Sequence, residues 1–449
     1  MITVNVTWLS WLMAIAVAYY ALLLAVMAVR RTARRRSRSA AGQRLPFMVL
    51  VIPAHNEQAV ISQTLTTLDR LDYPDRLILV MDDGSVDATA DLARHWVTAS
   101  RLAGSGPVRI VSRSRDIAGQ GKGAVLNHAF AHVTRMAADH DPLLGGRSPD
   151  EIVIGVMDAD GQLEADALSK VAPYFLSRRN RRVGAVQIGV RIANATVNLL
   201  TRMQDFEFVG FSALVQEARN GLGSVGLGGN GQFTRLSALL SLGRDPWTKC
   251  LTEDLDVSLS LAELGWDIAY CPDTFVAQQG LTRIGPLLRQ RARWIQGHYQ
   301  CWRHLGPIWR SGKLPWRAKI DLSIYLLMVA FLLVVVAGLV VSILGWARVL
   351  IPINTSLDYI TNPYIHSLVQ LLLSVGPLAV FISVYQLRAA SALRWFELPA
   401  FAVLFASYAY LFLISQIWAW ARIAAGRGGW AKTPRVSADI AVQIDRQPC

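Results

Sequence analysis

Long apolar segments lie only towards the two ends of this chain, and this distribution most constrains the fold. The first covers residues 8–29, and three more cover about 321–346, 365–387 and 396–421. Each is about as long as a helix that crosses a bilayer. Because no comparable run occurs over residues 45–280, this interval is predicted to be a soluble domain attached to an α-helical transmembrane region.

Basic residues predict the orientation of this arrangement. The stretch RRTARRRSR (30–38) directly follows the first apolar segment. Since basic residues collect on the cytosolic side, the soluble domain is expected in the cytosol of a multi-pass protein of the plasma (inner) membrane. A cleaved signal peptide is less favoured, because no basic region precedes the apolar run and no clear small-residue cleavage site follows it.

The composition agrees with a membrane protein that has a large soluble part. Hydrophobic residues make up 53% of the chain and charged residues 17%. The net charge of +13 is consistent with binding of nucleic acid, anionic lipid or a phosphorylated substrate. The arginine cluster directly follows an apolar segment, which favours anionic lipid for these residues. The cysteines have no paired spacing, which indicates reduced thiols and no zinc site. They are Cys250, Cys271, Cys301 and Cys449.

Within residues 45–280, continuous apolar runs alternate with helix-like patterns. Val, Ile and Leu runs without polar alternation indicate strands that are buried on both faces of a mostly parallel sheet. The domain is therefore predicted to be a doubly wound α/β layer. The runs are FMVLVIP (47–53), RLILVMDD (76–83), VRIVSR (108–113), EIVIGVMDAD (151–160) and VGAVQIGVRI (183–192).

Polar and acidic residues follow three of these strands, as AHNE (54–57), DDGS (82–85) and DAD (158–160). Ligands of open parallel sheets bind beyond the carboxyl ends of the strands. One DDG alone is more often a turn, but three such ends favour a site. Asp158 and Asp160 offer two carboxylates to one cation, which favours Mg²⁺ or Mn²⁺ bridging phosphate oxygens.

Two further segments carry candidate chemistry. The stretch GQGKGAVLNHA (119–129) opens a helix without a Walker or GxGxxG pattern, and Lys122 either approaches a diphosphate or is a solvated loop lysine. Glu253 and Asp254 begin an amphipathic helix. They are either N-capping residues or, since capping needs only one such group, include a general base.

The stretch LLRQRARWIQGHYQ (287–300) lies shortly before the second apolar segment. Helical spacing predicts an interfacial amphipathic helix that carries Arg291 within its apolar face, where a charge is costly. Gln290 and Trp294 share a neighbouring stripe, and an aromatic ring beside amide and guanidinium donors suits a sugar diphosphate. A membrane-surface helix with snorkelling arginines is the alternative.

The motifs DDG, DAD, TED and QRARW occur in this order before the apolar segments. This set, over about residues 45–435, resembles the processive membrane-embedded members of glycosyltransferase family 2, which include cellulose, hyaluronan, chitin and poly-N-acetylglucosamine synthases. The resemblance implies a GT-A-like nucleotide-diphospho-sugar transferase domain on helices that form a channel. The expected function is inverting, processive polymerisation of a β-linked polysaccharide from a UDP-sugar of the glucose or N-acetylglucosamine class, with export across the membrane.

The resemblance also implies residue roles. Asp158 and Asp160 would hold Mg²⁺ or Mn²⁺, Asp254 beside Glu253 would be the catalytic base, and Trp294 and Glu253 would contact the growing polysaccharide. The segment GGWAKTPR (428–435) resembles the family's gate, with Trp430, Lys432 and Thr433. The nucleotide-sugar would be bound by Pro53, His55, Glu57, Asp83, Lys122, Asp158, Gln290, Arg291 and Arg293.

These interpretations divide the chain into five parts and leave one conflict of topology. Counting of apolar segments places the C-terminus outside the cell, whereas a gate and the basic residues near it belong in the cytosol. The parts are an N-terminal helix with a basic linker (1–44), the transferase domain (45–280), interface helices (281–318), channel helices (319–421) and a tail with the gate (422–449).

Two other functions remain open. The first is a single-addition glycosyltransferase that acts on a membrane lipid acceptor, although QRARW and the number of later apolar segments favour the polymer synthase. A nucleic-acid-binding or lipid-binding membrane protein leaves the carboxylates at the strand ends unexplained, so no nucleic acid partner is expected. The sugar, the linkage and the oligomeric state are left open.

Overall fold

The computed structural model describes residues 44–102, 106–176, 182–330 and 394–429, together with short helical pieces within 18–26 and 381–386. The predicted gate, with Trp430, Lys432 and Thr433, lies outside the described residues, as does most of the predicted channel region.

A mixed sheet forms the centre of the domain. Five of its strands confirm the apolar runs seen in the sequence. Its strands are β1 (Phe47–Ala54), β2 (Arg76–Asp82), β3 (Val108–Ser112), β4 (Ile152–Val156), β5 (Gln162–Leu163), β6 (Val183–Ile192), β7 (Gln232–Arg235) and β8 (Asp267–Gln278). Their order across the sheet is β3-β2-β1-β4-β7-β6-β8-β5.

The first four strands pair in parallel, so their carboxyl ends meet at one edge. Ala54 pairs with Asp82, and Val51 pairs with Val156. Strand β7 runs antiparallel to both of its neighbours. Strand β4 ends before the acidic residues of its apolar run, because a turn with a 2.7 Å hydrogen bond from Gly161 N to Asp158 O begins there.

The α-helices cover the sheet and continue beyond it. A π-helical segment, Glu207–Ser212, joins α6 to α7. The helices are α1 (Ile61–Asp69), α2 (Thr89–Leu102), α3 (Lys122–Ala138), α4 (Ala167–Val171), α5 (Pro173–Leu176), α6 (Leu199–Phe206), α7 (Ala213–Leu222), α8 (Leu236–Leu240), α9 (Glu253–Glu263), α10 (Ile284–Gln300), α11 (Leu305–Arg310), α12 (316–330) and α13 (Leu398–Ala424).

Both faces of the sheet are buried, which explains why its strands lack polar alternation. Leu50 and Ile52 of β1 belong to a core with Leu65 of α1 on one face. Val49 and Val51 point to the other face and pack in a second core that includes residues of α3. Side chains alternate along a strand, so a strand that is covered on both sides must be apolar throughout.

Helix α10 packs on α13 near the π-helical segment. Phe206, Leu287 and Tyr408 lie in one buried apolar cluster that joins these elements. Within the part of the chain that the structure describes, α13 is the one helix long and apolar enough to cross a membrane. The predicted multi-pass arrangement stays a prediction.

Candidate active site

The residues that follow β1 and β2 form one end of the site. His55 Nδ1 lies 2.7 Å from the backbone oxygen of Asp83, and the Asp83 amide donates to Ala54 O at 2.7 Å. Asn56 has a φ of 55°, in the left-handed region, and its side-chain oxygen accepts from Val86 N at 2.8 Å. These bonds join the loops after the two neighbouring strands, as the strand-end argument predicted.

Two other predicted nucleotide residues flank this end. Pro53 lies within β1, opposite Met81 of β2. Glu57 is buried, and its amide donates to Thr89 Oγ1 at 2.6 Å, at the start of α2. The structure therefore brings both residues to the edge where the parallel strands end.

Asp83 is held by a partner that the sequence interpretation missed. Its carboxylate forms a buried ion pair with Arg113 and accepts from Gly119 N at 3.1 Å. Arg113 directly follows Ser112, which pairs with Asp82 across the sheet. The same strand-end rule applied to β3 would have found this arginine.

Lys122 and Asp158 meet across the strand ends. Lys122 begins α3 after Gly121, and its Nζ donates to Asp158 Oδ1 at 2.5 Å. Burial disfavours the charge, but the carboxylates of Asp158, Glu253 and Asp254 outweigh burial and raise the pKa of Lys122. Lys122 is therefore a protonated cation and not a solvated loop residue.

Asp160 contacts Gln279, the residue that follows β8. Its Oδ2 accepts from Gln279 N at 2.9 Å, and the residue is 4% exposed. Asp158 is more accessible, with 27% of its side chain exposed. Two carboxylates after one strand, one of them open to solvent, form an oxygen-only donor set that suits a hard divalent cation.

Glu253 and Asp254 complete the group at the start of α9. Thr252 occupies the N-cap position but makes no capping bond with its side chain. Asp254 Oδ1 accepts from Leu255 N at 2.8 Å. Gly229 has a φ of +80°, and a Cβ added there would lie 2.8 Å from Asp254 Oδ2. The glycine-rich loop around Gly229 therefore presses directly against this carboxylate.

Burial and mutual repulsion shift the acidity of this pair. Burial and the Asp254 charge raise the pKa of Glu253 to about 7, against the opposing charges of Lys122 and Arg293. Burial also raises the pKa of Asp254, with Lys122 opposing the shift. Carboxylates with raised pKa values beside a fixed cation are what general acid–base catalysis near neutral pH requires. We call Lys122, Asp158, Glu253 and Asp254 the Lys122 cluster.

The two predicted arginines of helix α10 interact with different carboxylates. Arg291 is buried and forms two 2.8 Å bonds to the Glu207 carboxylate, with the Trp294 ring 4.4 Å from its guanidinium carbon. The costly charge inferred from the sequence thus has a partner inside the protein. The positive charge of Arg293 instead lowers the pKa of Glu253. Gln290 is half-buried.

A family model described as glycosyltransferase like family 2 matches residues 46–297. The chain belongs to this family. The prediction of a family 2 glycosyltransferase is thereby confirmed. The matched region begins with β1 and ends within α10, so it contains every member of the Lys122 cluster and the predicted residues of α10.

Two cyanobacterial relatives of this family 2 chain are named β-monoglucosyldiacylglycerol synthase. The protein from Synechocystis is 32% identical over 362 residues, which are 79% of this chain and 68% of the relative. The protein from Nostoc is 34% identical over 264 residues, which are 57% of this chain and 50% of the relative. The aligned part therefore spans about half the length of the Nostoc protein.

A solved structure shows the same fold. The mannosyltransferase PcManGT from Pyrobaculum calidifontis, in complex with GDP-Man and Mn²⁺, superposes with a TM-score of 0.54 at 18% identity. The match covers 91% of this chain and 99% of that structure. The prediction of a GT-A-like glycosyltransferase fold is confirmed.

The prediction of a processive polysaccharide synthase is wrong. The relatives with 32% and 34% identity are named for the synthesis of a monoglucosyl lipid, not of a polymer. The motifs DDG, DAD, TED and QRARW all lie within residues 46–297, which the family model matches. They therefore did not distinguish the two outcomes, and the growing polysaccharide is not supported as an acceptor.

Proposed function

We propose that this chain is an inverting glycosyltransferase that adds one hexose, from UDP-glucose in the first instance, to a hydroxyl group of a membrane lipid. The observation that carries the chemistry is the Lys122 cluster, in which buried carboxylates of raised pKa lie beside a cation at the strand ends. The names of the cyanobacterial relatives support the glucosyl donor and the lipid acceptor.

Asp254 is the proposed catalytic base. Inversion requires the acceptor hydroxyl to attack the anomeric carbon from the side opposite the diphosphate, and a base must take the hydroxyl proton. Asp254 Oδ2 lies against the loop at Gly229, less buried than Glu253, and its raised pKa favours proton acceptance. The Glu253 carboxylate next to it helps to raise the proton affinity of this pair, because each acid disfavours the charge of the other.

Cations within and next to the Lys122 cluster are proposed to hold the donor diphosphate. Lys122 is protonated and close to Asp158, and Arg293 lies near enough to Glu253 to lower its pKa. Arg291 is assigned a different task, since Glu207 already takes both of its terminal nitrogens. Fixed positive charges that face a departing diphosphate stabilise the transition state without rearrangement.

Asp158 and Asp160 are proposed to hold Mg²⁺ or Mn²⁺. Their oxygen-only donor set at the end of β4 fits these ions. When bound, such a cation neutralises charge that develops on the diphosphate. Lys122, which donates to Asp158 at 2.5 Å, would hold the diphosphate beside these carboxylates.

We propose that the site lies at the cytosolic face of the plasma membrane. Helix α12 exposes Trp316 (73%), Ile320 (40%) and Leu327 (43%), and α13 is long and apolar enough to span. Tyr408 of α13 donates to Glu207 at 2.7 Å, and Glu207 pairs with Arg291 of α10. This connection fixes the catalytic domain beside the apolar helix, from which a lipid acceptor can reach the base.

The test is a product analysis on the purified full chain in detergent. The protein is incubated with radiolabelled UDP-glucose and diacylglycerol, and the products are separated into lipid-soluble and polymeric fractions. We expect label in one glycolipid that a β-glucosidase releases as free glucose. UDP-N-acetylglucosamine and GDP-mannose in parallel reactions show whether the donor is specific.

Asp254→Asn is the matched control, because it keeps the shape of the side chain and removes the base. Label in a polymer, or glycolipid formation at the same rate by Asp254→Asn, would contradict the proposal. Release of glucose by an α-glucosidase in place of the β-enzyme would contradict inversion.

A further inference from the structure

The loop over residues 248–252, which leads into Glu253 and Asp254, lies directly on the end of helix α10. Leu251 N donates to Gln300 Oε1 at 2.8 Å. A Cβ added to Gly297 would lie 2.6 Å from Thr252 N, so no space separates the loop from the helix at this point. Movement of the loop therefore transmits directly to the start of α9.

Two cysteines meet at this contact, although the chain separates them widely. Cys250 Sγ lies 3.7 Å from Cys301 Sγ, and Thr252 Oγ1 lies 3.6 Å from each sulfur. Cys301 is fully buried, whereas Cys250 is partly exposed. One thiol can therefore be reached from solvent, and the second lies behind it.

The two thiols differ in acidity in the same sense as in exposure. The hydrogen bond from Cys301 lowers the pKa of Cys250 to about 7. The bond with Cys250 and burial raise the pKa of Cys301. Since the thiolate is the reactive form, Cys250 is the nucleophile and Cys301 the resolving partner.

The alternative function of these two cysteines is to bind a metal ion together with Asp256. The donor atoms of Cys250, Cys301 and Asp256 lie within 4.8 Å of one another. The Asp256 carboxylate, however, already accepts from Arg303 at 2.5 Å and from His304 at 2.8 Å. These cationic partners already neutralise the carboxylate, so Asp256 does not need a metal ion. Cys250 and Cys301 are therefore better explained as a redox-active pair of thiols than as metal ligands.

We propose that Cys250 and Cys301 form a reversible disulfide under peroxide and that this bond slows sugar transfer. The Cys250 thiolate attacks one peroxide oxygen, the O–O bond breaks, and a sulfenic acid and hydroxide form. The Cys301 sulfur then displaces hydroxide from the Cys250 sulfur, and the Cys301 proton joins that hydroxide as water. Two thiols are oxidised and one peroxide is reduced. A dithiol reductant reverses the bond.

The geometry predicts the consequence for catalysis. A disulfide bond is about 2.0 Å long, so the sulfur atoms must approach by about 1.7 Å. The loop cannot absorb this shift against Gly297, and Asp254 has little room to move beside Gly229. The effect on transfer rests on the proposed function, whereas the formation of the disulfide does not.

The experiment uses the full chain in detergent, reduced, freed of reductant, and exposed to hydrogen peroxide. Free thiols are blocked with N-ethylmaleimide, and peptides are identified by mass spectrometry. We expect a Cys250–Cys301 linked peptide that dithiothreitol removes. It should persist in Cys271→Ser and be absent from Cys250→Ser and Cys301→Ala. Equal alkylation of both thiols before and after peroxide, or stoichiometric zinc in the reduced protein, would overturn the proposal.

Glucosyl transfer is measured on the same samples. The wild-type protein should lose activity in proportion to the linked fraction and regain it with dithiothreitol, while Cys250→Ser keeps its activity in peroxide. Unchanged transfer by fully linked protein would overturn the regulatory effect. If no sample transfers sugar at all, the proposed function fails, and the linked peptide still decides whether the disulfide forms.

Discussion

Helix α9 contributes carboxylates to two polar clusters, about one turn apart, and the pKa values of these carboxylates shift in opposite directions. The Lys122 cluster lies at its first residues. What we call the Asp256 cluster follows and comprises Asp256, His304, Glu263, Arg303 and Thr248. Burial raises the pKa of Glu253, whereas bonds from His304, Thr248 and Arg303 outweigh burial and lower the pKa of Asp256.

This difference shows that hydrogen-bond and charge partners, and not burial alone, decide whether the pKa of a buried carboxylate is raised or lowered. Asp256 is fully buried, and three groups donate to its oxygens, so its charge is satisfied and it stabilises the fold. Glu253 and Asp254 lie side by side with Lys122 as their main counterion. Like charges that share one cation retain affinity for a proton, and this affinity is what catalysis uses.

Removal of divalent cations should have the largest effect on the Lys122 cluster. We expect EDTA to reduce sugar transfer to background and Mg²⁺ or Mn²⁺ to restore it, because Asp158 and Asp160 would hold the ion. The thermal unfolding midpoint, measured in parallel, should change little, since the Asp256 cluster needs no metal. Full transfer in EDTA would remove the metal from the proposed site.

Asp254→Asn should lower turnover by about 10²–10⁴-fold, the usual contribution of a general base. Binding of UDP-glucose, followed by calorimetry, should be retained, because the donor side of the site is unchanged. The unfolding midpoint should stay close to that of the wild type. Normal specific activity of the purified variant would refute the catalytic assignment.

Asp256→Asn should show the reverse pattern, with lost stability and retained chemistry. It removes the charge that partners His304 and Arg303, and loss of one partner from a buried ion pair costs about 3 kcal/mol. Unfolding in denaturant should therefore occur at a lower concentration, while the folded fraction transfers sugar at the wild-type rate. A variant of normal stability and no activity would move Asp256 into the catalytic machinery.

The charge of His304 should make the stability of the protein depend on pH, with a smaller effect than the loss of Asp256. Burial opposes its charge, but bonds to Asp256 and Glu263 raise its pKa to about 9, from about 6.5 when unfolded. The folded state therefore binds the proton more tightly. The stabilisation is fully present below about pH 6.5 and is lost as pH rises through about 9, by on the order of 3 kcal/mol at most.

The measurement is the free energy of unfolding from pH 6 to 10 in wild type and His304→Gln. Glu253 also has a raised pKa and loses stabilisation as pH rises through about 7, so the difference between the two proteins isolates the histidine. We expect the two curves to converge at high pH. Parallel curves would show that His304 is neutral in the folded protein.

The doubly wound α/β domain was predictable because its signal is local. A strand such as β1 must be apolar on both faces when helices cover both sides of the sheet, so it appears in the sequence as an uninterrupted apolar run. The same holds for the acidic strand ends, since parallel neighbours bring Asp83 and Asp158 to one edge. Strands β5, β7 and β8 were missed. Strands β5 and β7 are short and pair antiparallel within a mixed sheet, and β8 has Pro272 and Asp273 inside its apolar run.

The helix at 284–300 shows where periodicity stops being sufficient. Spacing placed Arg291 within the apolar face, and the structure buries it. The partner of Arg291 is Glu207 in a π-helical segment. Periodicity shows that a side chain is buried, but not which distant residue approaches it.

The sequence by itself determined the fold class, the catalytic family and the residues at the strand ends, because backbone pattern and short-range spacing decide these. Only the tertiary structure decided which charges are satisfied. It paired Arg291 with Glu207, Asp256 with His304, and Cys250 with Cys301, and it left Glu253 and Asp254 to share Lys122. The reason is physical: the energy of a buried polar group depends on the atoms around it, and long-range packing supplies those atoms.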